Sequence, residues 1–278
     1  MMDGVDSLAC ASCGAPVHTP YCGACGERRL AAEELTLRAQ LAQLVGGLFS
    51  VDGKFLRSFG ALLRPGFLAV EYCRGSRMRW MRPVQLFLVA NLCYFLLQPL
   101  TDFNTFNSTL RLQLERQHYS AALRPVVDAR VAELGITFEQ YAEGFDRTAS
   151  GLARSLVLLL VPAIALVMRL VAWRGRRNYV EHLVMAAHYL SYTLVVLYCG
   201  VFGLLTAVQH VSGIYLSEQH SGYLALAVLF AWLAPAWRRF HGVPLWRACL
   251  AALVVAYAHM PLVISYRYLL FWVTHAVT

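Results

Sequence analysis

Four cysteines near the start of the chain form two C-x2-C pairs, Cys10/Cys13 and Cys22/Cys25. Eight residues separate the pairs, and a glycine follows the second cysteine of each (Gly14, Gly26). A C-x2-C turn brings two sulfurs to one ion while backbone N–H groups face them, and four thiolates complete a tetrahedral Zn2+ site. Glycine allows the positive φ that such a turn needs. Two disulfides, a redox dithiol or an iron–sulfur cluster are the alternatives; two complete knuckles this close favour zinc. His18 lies between the pairs and could compete as a donor, but with four cysteines present it is assigned to the loop. Four protein ligands leave no open position for water, so the expected role is structural. A segment of this size cannot build a core, and the metal would supply its fold. Thiols kept reduced place this end in the cytoplasm.

A second set of candidates is polar residues within apolar stretches: Asn91, Glu181, His182, His188 and His259. Such residues are costly in lipid and are functional candidates by default. Glu181 and His188 are seven residues apart and share a helix face, whereas His182 points to the neighbouring one. Metal binding, proton relay and substrate holding are all chemically open to them. Each has a plainer reading. Asn91 can bridge two helices, and His259 can pack as a satisfied histidine before Pro261. Asn178 and Glu181 have N-x-x-E spacing, so Glu181 reads first as a helix start signal. There is no H-E-x-x-H pair, no serine–histidine–aspartate order, no phosphate loop and no pair of catalytic carboxylates. No catalytic residues are assigned, and the chain is not expected to be an enzyme.

The elements that position these residues follow from composition. Of 278 residues, 58% are hydrophobic and 14% charged, with mean hydropathy +0.51. A soluble core cannot absorb this much apolar surface. The expected fold is an all-α integral membrane protein, a five-helix bundle with a small zinc ribbon or knuckle at residues 1–27. The spans are expected near 83–100, 152–171, 180–208, 222–237 and 248–273, with an external helical segment at 101–151. Thr137-Phe138-Glu139-Gln140 in that segment is a capping-box pattern. Cys73, Cys93, Cys199 and Cys249 are scattered and read as small buried apolar residues.

Residues 28–82 form a linker with amphipathic stripes, Leu37 to Leu48 and Phe55 to Leu63, ended by Arg64-Pro65-Gly66. It either lies on the inner leaflet or packs as an ordinary helical hairpin. Residues 27–82 hold ten Lys/Arg and five acids, while 101–151 hold five and seven. Arg174, Arg176 and Arg177 follow the second span, and Arg238, Arg239 and Arg247 follow the fourth. By the positive-inside rule the N-terminus is cytoplasmic and the C-terminus periplasmic. The net charge of +8 is thereby assigned to membrane flanks rather than to nucleic acid. No signal peptide is expected, because no apolar h-region fits before Cys10.

Several motifs resemble a known family. They are the knuckle ending YCGACG, Lys54-Phe55-Leu56-Arg57-Ser58-Phe59, Leu63-Arg64-Pro65-Gly66, and Tyr72-Cys73-Arg74-Gly75-Ser76-Arg77 followed by Pro83. Together they resemble the bacterial domain-of-unknown-function family 3667. Arg57-Ser58-Phe59 stands where the family has Arg-Thr-Leu, and Gly75-Ser76-Arg77 where it has Gly-Lys-Arg. The stretch Glu181–Leu190 is similar to a glutamate–histidine stretch in members, with Leu190 where a further histidine is expected. The resemblance covers residues 10–83 and, loosely, the second and third spans. It implies a zinc-knuckle-headed bacterial inner-membrane protein and brings no activity with it.

The resulting expectation is a membrane scaffold or accessory protein. Its partners would be the bilayer and a cytoplasmic protein met through the knuckle. A solute transporter or its subunit is the alternative, and an intramembrane metalloenzyme using Glu181, His182 and His188 is a third reading that their divergent faces oppose. Substrate and oligomeric state are not legible.

Overall fold

The computed structural model describes residues 8–27, 54–100, 105–172, 175–213 and 216–278. The amphipathic stripe expected at 37–48 lies outside them. The first unit is the cysteine knuckle. Its strands β1 (Leu8–Ala9) and β2 (Pro16–Val17) pair antiparallel with Leu8 opposite Val17.

The chain is then helical. Helix α1 spans Lys54–Leu62, α2 Phe67–Arg74 and α3 Pro83–Leu97. A 3-10 turn, Gln98–Leu100, follows α3. Helices α4 (Leu110–Arg116), α5 (Ser120–Leu134) and α6 (Phe138–Leu156) come next. A 3-10 turn joins α6 to α7 (Leu160–Val171). Helix α8 (Tyr179–Tyr192) runs through a π-helical stretch, Thr193–Phe202, into α9 (Gly203–Ser212). Helices α10 (Glu218–His241) and α11 (Leu245–Val277) complete the chain.

Among the described residues, four helices are long and apolar enough to cross a membrane: Phe138–Val171, Tyr179–Ser212, Gln219–His241 and Leu245–Val277. Of the five spans expected, four correspond to these helices, and the first, near 83–100, corresponds to the shorter apolar α3. At 15 residues, α3 covers about 22 Å along its axis, less than a hydrocarbon core of ~30 Å. The boundaries also move. The segment expected outside the membrane is not separate from the second span, because α6 and α7 form one continuous 34-residue helix. Its N-terminal half carries all of its charges but Arg169 and is capped as anticipated: Thr137 accepts from the Gln140 amide and Gln140 returns to the Thr137 amide.

The surface is inverted relative to that of a soluble protein. Leu92 and Leu96 of α3, Leu166 and Leu170 of α7, and Leu250, Val254 and Tyr257 of α11 are all exposed. Large contiguous apolar surface of this kind marks a membrane or partner interface. The interior is also apolar and is built from α2, α3, α7, α8, α10 and α11, including Ala69, Phe87, Ile164, Met185, Leu233 and Ala252.

Helix α2 is drawn into this core, so the linker's C-terminal part packs against the bundle. Gly66 makes that possible. It has φ +69°, and a Cβ there would lie 2.8 Å from the Ala236 carbonyl oxygen of α10. The Trp232 indole N–H donates to the Leu62 carbonyl at 2.9 Å, pinning the end of α1 to the same helix.

At the opposite end, the Tyr266 hydroxyl donates to the carbonyls of Phe106 and Ala153, and Arg267 donates to Thr105. These bonds fasten the approach to α4. A separate small core (Leu110, Leu123, Val127, Tyr141, Phe145) holds α4, α5 and the start of α6 together.

Candidate metal centre and the polar residues of the bundle

The two knuckles share one backbone design. The Cys10 amide donates to Ala15 and the Gly14 amide to Cys10; the Cys22 amide donates to Glu27 and the Gly26 amide to Cys22. Gly14 and Gly26 sit at φ 77° and 72°, which closes each turn. The result is a cluster in which all four cysteine sulfurs lie within 4.8 Å of one another. Cys10 Sγ and Cys25 Sγ are 3.6 Å apart, as are Cys13 Sγ and Cys22 Sγ. That is far longer than a disulfide of about 2.05 Å. It is close to the edge, about 3.8 Å, of a tetrahedron with metal–sulfur bonds of ~2.3 Å. The donor set therefore fits one tetrahedral thiophilic ion held by Cys10, Cys13, Cys22 and Cys25. The Cys22 thiol is lowered to about 7 by the amide groups of Cys25 and Ala24, which favour its thiolate.

Glu27 ends the second knuckle and is almost fully buried (4% exposed). Its carboxylate accepts from the backbone amides of Met78 at 2.8 Å and Arg77 at 3.1 Å, and from the Ser12 hydroxyl. Ser12 and Ser76 also meet at 3.2 Å. The knuckle is thus fastened to the turn that follows α2. The sequence offered no signal for this: Glu27 reads as one more charge in a basic linker.

The five polar candidates of the bundle occupy distinct places. Asn91 donates from Nδ2 to the Arg154 carbonyl at 2.8 Å, bridging α3 to α6. Glu181 forms the capping box with Asn178: Asn178 Oδ1 accepts from the Glu181 amide at 2.9 Å, and Glu181 accepts from the Asn178 amide at 2.8 Å. Glu181 also pairs with Arg177. His182 is buried, and its Nδ1–H donates to the Asn178 carbonyl at 2.7 Å. His188 is buried, and its Nδ1–H donates to the Val184 carbonyl at 2.8 Å. His259 is buried with both ring nitrogens lacking a partner, and its ring meets Tyr189 edge-on at 5.7 Å. Among the described residues the four cysteines are the group whose donor atoms could hold a metal ion; Glu181, His182 and His188 are not gathered into such a group.

Packing creates a constellation that sequence reasoning missed. His241, the last residue of α10, lies 5.3 Å from His182 ring to ring and 4.4 Å from Trp237. Arg177 lies over the Phe240 ring at 4.1 Å and donates from Nε to the Phe240 carbonyl at 2.7 Å. In the sequence, His241 follows two arginines and reads as part of a basic flank. The end of α2 comes to the same place: burial, and secondarily the Glu181 charge, push the Cys73 thiol up to about 12. The knuckle, held to the turn after α2, and the guanidinium groups of Arg77 and Arg177 therefore share one end of the bundle.

No curated protein and no solved structure matches this chain. Residues 52–95, which run through α1, α2 and most of α3 and include the turn that receives Glu27, match the family model described as protein of unknown function (DUF3667).

Proposed function

We propose that this is an integral protein of the bacterial inner membrane that displays a structural Zn2+ knuckle on the cytoplasmic face as a binding or scaffolding module. The observation that carries the reading is the four-cysteine cluster joined through Glu27 to one end of a bundle whose exterior is apolar. Zinc would stabilise the knuckle's fold; with four protein ligands it has no position for a reacting water. Arg77, Arg176, Arg177 and Arg239 gather at the knuckle's end, as the positive-inside rule asks of a cytoplasmic face. Helix α3 with its 3-10 extension serves as a fifth, short span in this reading, and the C-terminus is periplasmic. No catalytic role is proposed. The second reading, a small-solute transporter or its subunit, rests on the unpartnered His259 imidazole beside Tyr189.

The test is metal analysis of the full-length protein purified in detergent, with fractionation of the cells that produce it. One zinc per chain, lost on Cys10→Ser/Cys22→Ser, and a chain that stays in the membrane pellet after alkaline extraction are expected. Less than one zinc per chain, iron in its place, or extraction into the supernatant would overturn the corresponding half of the reading.

A further inference from the structure

The cavity between the α7–α8 turn, the end of α10 and the start of α11 has a volume of about 780 Å³. Its lining combines two chemistries. Arg176, Arg177, Glu181, His241 and Arg247 supply charged and polar groups. Trp246, Leu250 and Val254 of α11 form an apolar wall, an i, i+4, i+8 stripe that is more than half exposed at each position.

Among the described residues the charges of this lining are not balanced. Glu181 is the carboxylate of the lining, and it is consumed by Arg177 and by the Asn178 amide. Arg176 and Arg247 have no carboxylate partner among the described residues; Arg247 rests on the Trp246 ring at 5.0 Å. The His241 Nε2 has no hydrogen-bond partner either. The apolar wall does not end with the cavity. Trp246 and Leu250 also line a second, largely apolar groove of about 600 Å³ between α10 and α11, bordered by Tyr223, Phe230 and Leu253.

A free anion would use the guanidinium groups and leave the apolar wall and groove uncovered. A neutral lipid would use the groove and leave two cations unpaired. We propose that this cavity is a binding site for an anionic phospholipid. Its phosphate is held by Arg176 and Arg247, and its acyl chain lies along Trp246 and Leu250 into the α10–α11 groove. Arginine matches phosphate with a planar fork of donors, and basic pockets between helices at a membrane's cytoplasmic side recognise acidic headgroups. The inference rests on the membrane reading above and extends it to a specific lipid class.

The experiment is native mass spectrometry of the full-length protein in detergent, titrated with phosphatidylglycerol or phosphatidylcholine of matched chains. Phosphatidylglycerol is expected to bind in preference, and Arg176→Gln/Arg247→Gln to cut that preference roughly tenfold to thirtyfold. Arg238→Gln, which removes an exposed arginine outside the cavity, is the control and is expected to change little. Equal binding of the two lipids, an equal loss on Arg238→Gln, or displacement of phosphatidylglycerol by millimolar inorganic phosphate alone would overturn the proposal. Both substituted arginines are exposed, so the variants fold. Alkaline extraction reads the membrane assignment independently of this outcome.

Discussion

The carboxylate of Glu27 accepts the backbone N–H of Met78 at 2.8 Å, across 51 positions of sequence. The same carboxylate takes the Arg77 amide. It therefore serves as the joint between a metal knuckle and a helical bundle, and its removal takes a charged acceptor from two part-buried backbone donors. A hydrogen bond to a charged group is worth about 1.5–3 kcal/mol. Glu27→Ala is expected to free the knuckle from the turn at Gly75–Met78 while one metal per chain is retained. Faster hydrogen exchange at Arg77 and Met78 in the variant checks this; unchanged exchange would show that the joint is held elsewhere.

Gly66 leads into α2 at φ +69°, with the Ala236 backbone where a side chain would start. Gly66→Ala must both strain the turn and push α2 away from α10. The strain alone is worth roughly 1 kcal/mol, and the contact with rigid backbone adds to it. A markedly lower melting temperature in detergent is expected, with more trypsin cleavage after Arg74, the exposed arginine at the other end of α2. A variant as stable as the parent would mean that α2 does not seat on α10.

Asn178 and Glu181 cap α8 reciprocally. Asn178→Ala is expected to cost about 0.5–2 kcal/mol, and Glu181→Ala a similar amount. The double variant should lose less than the sum, because either change breaks the same box. Additive losses in a denaturation cycle would assign Glu181 a separate task.

His259 places two unpartnered nitrogens in an apolar interior. An apolar replacement removes that desolvation cost. His259→Leu is therefore expected to leave thermal stability unchanged or to raise it. A clear loss of stability would point to a partner for the imidazole, such as a bound solute or proton-linked water, and would favour the transporter reading.

Cys73 supplies a pH dependence. Burial first, then the Glu181 charge, push its thiol from 9.0 up to about 12. In the unfolded chain the thiol ionises near its ordinary value, while the folded chain keeps the proton. The folded state then binds more protons than the unfolded one, so this group's stabilising contribution is complete below about pH 9 and declines from there up to about pH 12. Alkylation of Cys73 by iodoacetamide should stay slow through pH 9, and Cys73→Ala should flatten the alkaline fall in stability. A half-rise in alkylation near pH 9 would contradict the burial.

Features encoded within a few positions were legible in the amino-acid order. The two C-x2-C spacings, the glycines that close them, the capping residues at Thr137 and Asn178 and the stop at Arg64-Pro65-Gly66 are local. Their hydrogen bonds run between residues five or fewer apart, so they are visible before any folding. Composition likewise showed that most of the chain must meet an apolar environment. Helix continuity was not visible: Phe138 to Val171 changes from polar to apolar midway, and a change of surroundings was read as a change of element. The bridge from Asn91 to the Arg154 carbonyl, the approach of the His182 and His241 rings and the capture of Met78 by Glu27 came from the packing of distant segments. Each depends on how helices are rotated and stacked, which is settled by the summed packing of apolar side chains far apart in sequence. No local pattern carries that information.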